Sequence, residues 1–106
     1  MEYKKLVRDR IPQIIAEKGG TCQTRILSEE EYLVSLEAKL DEEVGEYHRD
    51  KNVEELADIL EVLFALAAAN GYSCEELMTA YDKKHMDRGG FEKRIFLIST
   101  HHADEK

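Results

Sequence analysis

The chain has 106 residues, a formal net charge of −8, 42% hydrophobic residues and 36% charged residues. That length fits one domain with a modest core. The composition fits neither a disordered chain nor a membrane span, because no apolar run reaches the roughly 18 residues a transmembrane helix needs. The acidic balance argues against a nucleic-acid binder, which would present a basic face. It still allows small phosphorylated ligands where a divalent cation lies between carboxylates and phosphates.

The opening "MEYKKLVRDR" has no apolar run of the secretory type, so a cytoplasmic location is expected. Cys22 matches no CxxC or zinc spacing with Cys74 and both read as free thiols. In "RIPQIIAEKGG", Pro12 suits the first turn of a short helix, and Gly19 and Gly20 suit its stop. Residues 21–27, "TCQTRIL", lean towards a short strand.

Ser28 and Glu31 form an S-x-x-E capping box that opens a long helix. Leu33, Leu36, Leu40, Val44 and Tyr47 follow at steps of three and four, giving one apolar stripe to about Arg49. "HRDKN" is a tight polar connection, so the next helix should return antiparallel. Asn52 caps that helix and Gly71 stops it. Ser73 and Glu76 make a second capping box, opening a helix through "CEELMTAYDKKHM" that ends before Gly89 and Gly90. Residues 91–98, "FEKRIFLI", could pair with 21–27 as a small antiparallel β-ribbon. The tail "STHHADEK" reads as solvated. The expected architecture is an all-α bundle of three to four helices in a single domain, with that ribbon as an addition.

The chemistry-bearing feature is acidic. Glu42, Glu43 and Glu46 fall in one sector of the long helix, beside its apolar stripe. On the returning helix, Glu54, Glu55, Asp58 and Glu61 span an arc of about 120° with no Lys or Arg between them. Like charges at this spacing cost about 0.2–0.5 kcal/mol per pair when exposed, and more when partly buried. Glu46 lies six residues before Asn52 and Asp58 six after it, so the hairpin sets the two patches at similar height. A hard divalent cation with oxygen ligands would resolve the repulsion, and magnesium shares such sites with substrate phosphates. Bland explanations cover part of the set: Glu54 and Glu55 favour a helix start, and Glu43 can pair with Lys39. They do not cover Asp58 and Glu61.

"EEVGE" followed by "ELAD" reads as E-E-x-x-E then E-x-x-D, and with "YKKLVRDRIPQII" and "KKHMDRGGF" it resembles the MazG-type all-α nucleoside triphosphate pyrophosphohydrolases. Within that superfamily the likeness is to the small phosphoribosyl-ATP pyrophosphohydrolase-like branch, and it covers residues 3 to 97. The resemblance implies a Mg²⁺-dependent hydrolase, with Mn²⁺ as a substitute ion, that cleaves a nucleotide between its α and β phosphates. It implies Glu42, Glu43, Glu46 and Asp58 as metal ligands, with Glu55 ligating or supporting them, and Glu43 or Glu46 as the residue that orients or deprotonates water. Arg8, Arg10, Lys83 and Arg88, the basic residues inside the similar blocks, become candidates for phosphate contacts, against a plain role as surface charge. The connection between the motif halves is shorter than in longer MazG modules, so their substrate preferences do not transfer.

The helix over 53–69 is apolar around about two-thirds of its circumference, which three short helices cannot cover. A homodimer or higher oligomer is therefore expected, with no nucleic-acid or membrane partner. The rival function is a non-catalytic acidic interaction module with the same fold.

Overall fold

A computed structural model describes residues 4–102 and contains four helices. The first, α1 (Ile11–Glu17), has Pro12 in its opening turn, where a missing N–H costs nothing, and ends before Gly19 in a left-handed conformation (φ 85°). The second, α2 (Glu29–Asp50), is 22 residues long and begins with both halves of the expected capping box: Glu31 N–H donates to Ser28 Oγ at 3.2 Å, and Ser28 N–H donates to Glu31 Oε1 at 3.1 Å. Arg25 adds a two-pronged contact to the same Glu31 carboxylate, at 3.2 and 2.9 Å, and holds that carboxyl down at about 2.

Only Lys51 and Asn52 separate α2 from α3 (Val53–Ala69). Lys51 adopts a left-handed conformation (φ 52°) that reverses the chain, and Asn52 Oδ1 accepts the Glu55 N–H at 3.0 Å. A connection this short fixes the register of the two helices, so α2 and α3 form an antiparallel hairpin. The end of α3 is closed by Asn70 and by Gly71 (φ 89°), with the Tyr72 N–H returning to the Ala67 carbonyl at 2.8 Å. α4 (Cys74–Arg88) opens on the second capping box, Ser73 with Glu76, and packs against α3. α2, α3 and α4 thus start at the residues that Ser28, Asn52 and Ser73 cap.

The core is thin. Among the described residues, Leu36 on α2 and Val62 on α3 are the buried apolar side chains, facing each other's helix across the hairpin. The radius of gyration is 19.4 Å and the longest dimension 68 Å, whereas a compact chain of this length has a radius near 13 Å. The opposite face of α3, carrying Val53, Leu56, Leu60 and Leu63, is open to solvent.

The β-ribbon expected between 21–27 and 91–98 does not form, and no strand occurs among the described residues. Residues 91–94 instead form a turn, with the Arg94 N–H returning to the Phe91 carbonyl at 3.0 Å, and Ile26 and Phe96 are exposed. Two lone strands are marginal without an apolar platform beneath them, and neither segment rests on one here. No single helix among the described residues is long and apolar enough to cross a membrane; α3 and α4 reach that length only together, across a 113° bend. The free thiols are both exposed. Tyr3 and the end of the tail, residues 103–106, lie outside the described residues, while His101 and His102 are exposed.

Candidate metal centre

The two-residue turn brings the acidic patches of α2 and α3 face to face. Glu43, Glu46, Glu55 and Asp58 each offer a carboxylate oxygen, and these oxygens all lie within 4.8 Å of one another. Steps of three residues do this on each helix, 43 to 46 and 55 to 58, because residues three apart share a face. Glu43 is the deepest of the four: its side chain is only 8% exposed, and it is the one buried charged residue among those described.

Cations from the chain satisfy part of this charge. Lys39 Nζ approaches Glu43 Oε1 at 3.4 Å from one turn earlier on α2. Arg8, from the segment before α1, donates through Nη2 to Asp58 Oδ1 at 2.6 Å. The other oxygens of the two innermost carboxylates, Glu43 Oε2 and Glu55 Oε2, are buried and have no hydrogen-bond partner. Unsatisfied buried polar atoms are uncommon and costly.

The electrostatics follow. Burial raises the Glu43 carboxyl above its ordinary value, contact with Glu46 pushes the same way, and Lys39 opposes the rise without cancelling it. Glu55 is raised too, first by loss of water around its carboxyl, then by Glu46, then by Asp50 and Asp58. Four carboxylates crowd a space with two chain cations at its edges, and the inner oxygens point at no donor. Hard oxygen ligands with spare lone pairs are the donor set that a divalent cation such as Mg²⁺ takes.

Not every residue expected in the site is in this group. Glu42 lies at the edge of the sector and turns away, with Oε1 at 3.5 Å from Lys39 Nζ and 3.8 Å from Lys5 Nζ. Glu54 and Glu61, on the same acidic arc of α3, are exposed and are not among the converging carboxylates. Of the four basic candidates, Arg8 alone is bonded to a carboxylate of the group. Arg10 is exposed at the start of α1, and Arg88 is exposed in the last turn of α4. Lys83 borders a shallow surface depression on α4 with Ser73, Glu75, Glu76, Thr79 and Ala80. Tyr81 stacks against His85 on the same helix, and Phe91 is exposed. The pairing of Arg8 with Asp58 and of Lys5 with Glu42 has one sequence signal behind it: a basic run, "KKLVRDR", ahead of a strongly acidic middle.

The chain matches no protein-family profile, and no solved structure matches it. Over 42 residues it is 57% identical to an uncharacterized protein of Mycolicibacterium smegmatis; the match covers 40% of this chain and 43% of that protein.

Proposed function

We propose that the chain is a Mg²⁺-dependent nucleotide pyrophosphohydrolase that splits the α–β phosphoanhydride of a nucleoside triphosphate or related nucleotide, giving the monophosphate and pyrophosphate. The observation that carries this reading is the carboxylate group Glu43, Glu46, Glu55 and Asp58. It occupies the E-E-x-x-E and E-x-x-D positions and contains two buried oxygens without partners.

In this reading Glu43, Glu46, Glu55 and Asp58 hold the ion, and Glu42 steadies Lys39 and Lys5 beside it. Bound Mg²⁺, or Mn²⁺ in its place, supplies charge neutralisation for the phosphates and acidifies water. Water adds to phosphorus, the bridging P–O bond breaks towards pyrophosphate, and the water's proton passes to a carboxylate. That acceptor is Glu43 or Glu46, which touch each other within the group. Arg8 has the shape to grip a phosphate in two-pronged fashion once it leaves Asp58. Arg10, Lys83 and Arg88 are further candidates for phosphate contacts, each requiring a rearrangement or a second copy to reach the carboxylates. The chain also associates with itself, because the open face of α3 needs cover.

Pyrophosphate release from a panel of nucleotides with Mg²⁺ tests the activity. No turnover of any nucleotide would sink the enzyme, and unchanged turnover in Asp58→Ala would sink the site. A second reading, a non-catalytic acidic helical module for oligomerisation, is favoured by one observation: Val53, Leu56, Leu60 and Leu63 form an exposed apolar stripe on α3. Calorimetry separates the two, since the module predicts no Mg²⁺ binding with or without nucleotide.

A further inference from the structure

The segment after α4 is the most apolar exposed stretch of the molecule. Phe91 is 97% exposed, and Ile95, Phe96, Leu97 and Ile98 are each at least 72% exposed. Four consecutive apolar residues outside any helix leave an exposed greasy run, which no solvated arm requires. The open face of α3 is a second exposed apolar surface. Val53, Leu56, Leu60 and Leu63 recur at steps of three and four, so they form one stripe, and all four are exposed.

Surface area says what must cover them. The chain exposes 9997 Å², whereas a compact monomer of its mass exposes about 6,000 Å². The excess of about 4,000 Å² exceeds one copy's share of an obligate homodimer interface, which totals about 2,000–5,000 Å² over both copies. Length and charge say how. Ile95 to Ile98 spans about 10 Å when extended, and Val53 to Leu63 rises about 15 Å along the helix, so the run fits within the length of the stripe. Lys93 and Arg94 precede the apolar run. Glu54 and Glu61, seven apart, edge the stripe on one side, and among the described residues neither has an ion-pair partner. Two such stripes packed antiparallel on each other about a twofold axis would instead set four glutamates along one edge with no cation between them.

We propose that the 91–98 arm of one copy seats along the Val53–Leu56–Leu60–Leu63 stripe of a second copy, with Lys93 and Arg94 against Glu54 and Glu61, and that the exchange is reciprocal. This interface uses the face of α3 turned away from the carboxylate group, so it stands whether or not the protein hydrolyses nucleotides. It also gives Glu61 a partner that its own chain does not supply.

Sedimentation equilibrium of the full chain without nucleotide or metal is the test. The wild-type chain should be a dimer or closed higher oligomer at micromolar concentration, and Ile95→Asp/Ile98→Asp should be monomeric with unchanged helix content by circular dichroism. The arm lies outside every helix, so that variant leaves the hairpin intact. Lys93→Glu/Arg94→Glu should weaken association roughly three- to tenfold. Adding Glu54→Lys/Glu61→Lys should restore it, and the second pair alone should weaken it as the first does. A monomeric wild-type chain overturns the proposal. So does association that survives the Ile95/Ile98 variant, which would mean that the stripes pack on each other. Charge reversals that do not rescue one another overturn the arm-on-stripe pairing.

Discussion

Arg8 and Asp58 are fifty residues apart in the chain and joined by a 2.6 Å hydrogen bond from guanidinium to carboxylate. Both side chains keep solvent contact, so the pair adds little to stability. Its consequence is for the site, because Arg8 occupies an oxygen that a divalent cation would also use. Arg8→Ala is expected to tighten Mg²⁺ binding in calorimetry with metal alone, since one competing cation is gone. The same change should lower kcat/KM for a nucleotide about 10- to 100-fold if the freed guanidinium grips phosphate, the value of one charge-assisted hydrogen bond. Weakened metal binding would contradict the first half, and unchanged turnover the second.

Glu42 and Glu46 give a sharper contrast, because the motif makes them equivalent and the structure does not. Glu46 touches both raised carboxyls, whereas Glu42 faces Lys39 and Lys5. Glu46→Gln and Asp58→Asn are expected to weaken Mg²⁺ binding by at least about tenfold, since even the outer partners of metal ligands cost that much. Glu42→Gln should leave the affinity near wild type. Equal losses at positions 42 and 46 would show that Glu42 swings in when the ion binds.

What could be read from the sequence divides along the same line. Helix limits were legible because Ser28, Asn52 and Ser73 act within four residues of themselves. The meeting of residues 43 and 46 with 55 and 58 was legible because a two-residue turn leaves the hairpin one register. Arg8 on Asp58 was not, since nothing local fixes where the N-terminal segment lies. The ion pairs of Glu42 were not legible either: helical steps put it in the same sector, but only the fold shows Lys39 and Lys5 beside its carboxylate. The ribbon failed because β pairing depends on what lies beneath the strands, and a propensity reading does not see that.

The raised carboxyls give the protein without metal a characteristic pH profile. Glu43 and Glu55 bind protons more readily in the folded state than at their ordinary value of 4.5. From that pH upward the folded protein therefore holds protons that the unfolded chain has released, and stability falls as pH rises through their folded values. Glu31 works in the opposite sense: held at about 2, it stabilises the fold above its ordinary value and that contribution is lost as pH falls. Thermal melts in chelator should thus peak at mildly acidic pH and decline towards neutrality. Mg²⁺ at a hundred times its dissociation constant should add about 2.7 kcal/mol on the neutral side. A melting temperature in chelator that climbs steadily from pH 5 to pH 8 would contradict the crowding of these carboxylates.

Leu36 and Leu56 test whether the hairpin core or the association holds the fold. Leu36 is 3% exposed and Leu56 is half exposed, on opposite sides of the hairpin. Leu36→Ala leaves a cavity against α3 and should cost about 2–5 kcal/mol at any protein concentration. For a domain whose whole margin is about 5–15 kcal/mol, that is a large fraction. Leu56→Ala, judged on the isolated chain, should fall within about 0.5 kcal/mol of wild type. If a second copy covers the stripe, its cost should instead grow as the protein is concentrated, because burial of that leucine exists only in the associated state. Urea denaturation at two protein concentrations tenfold apart resolves the cases. A penalty for Leu56→Ala that is small and identical at both would leave the open face of α3 without a partner and place all of the stability in the hairpin.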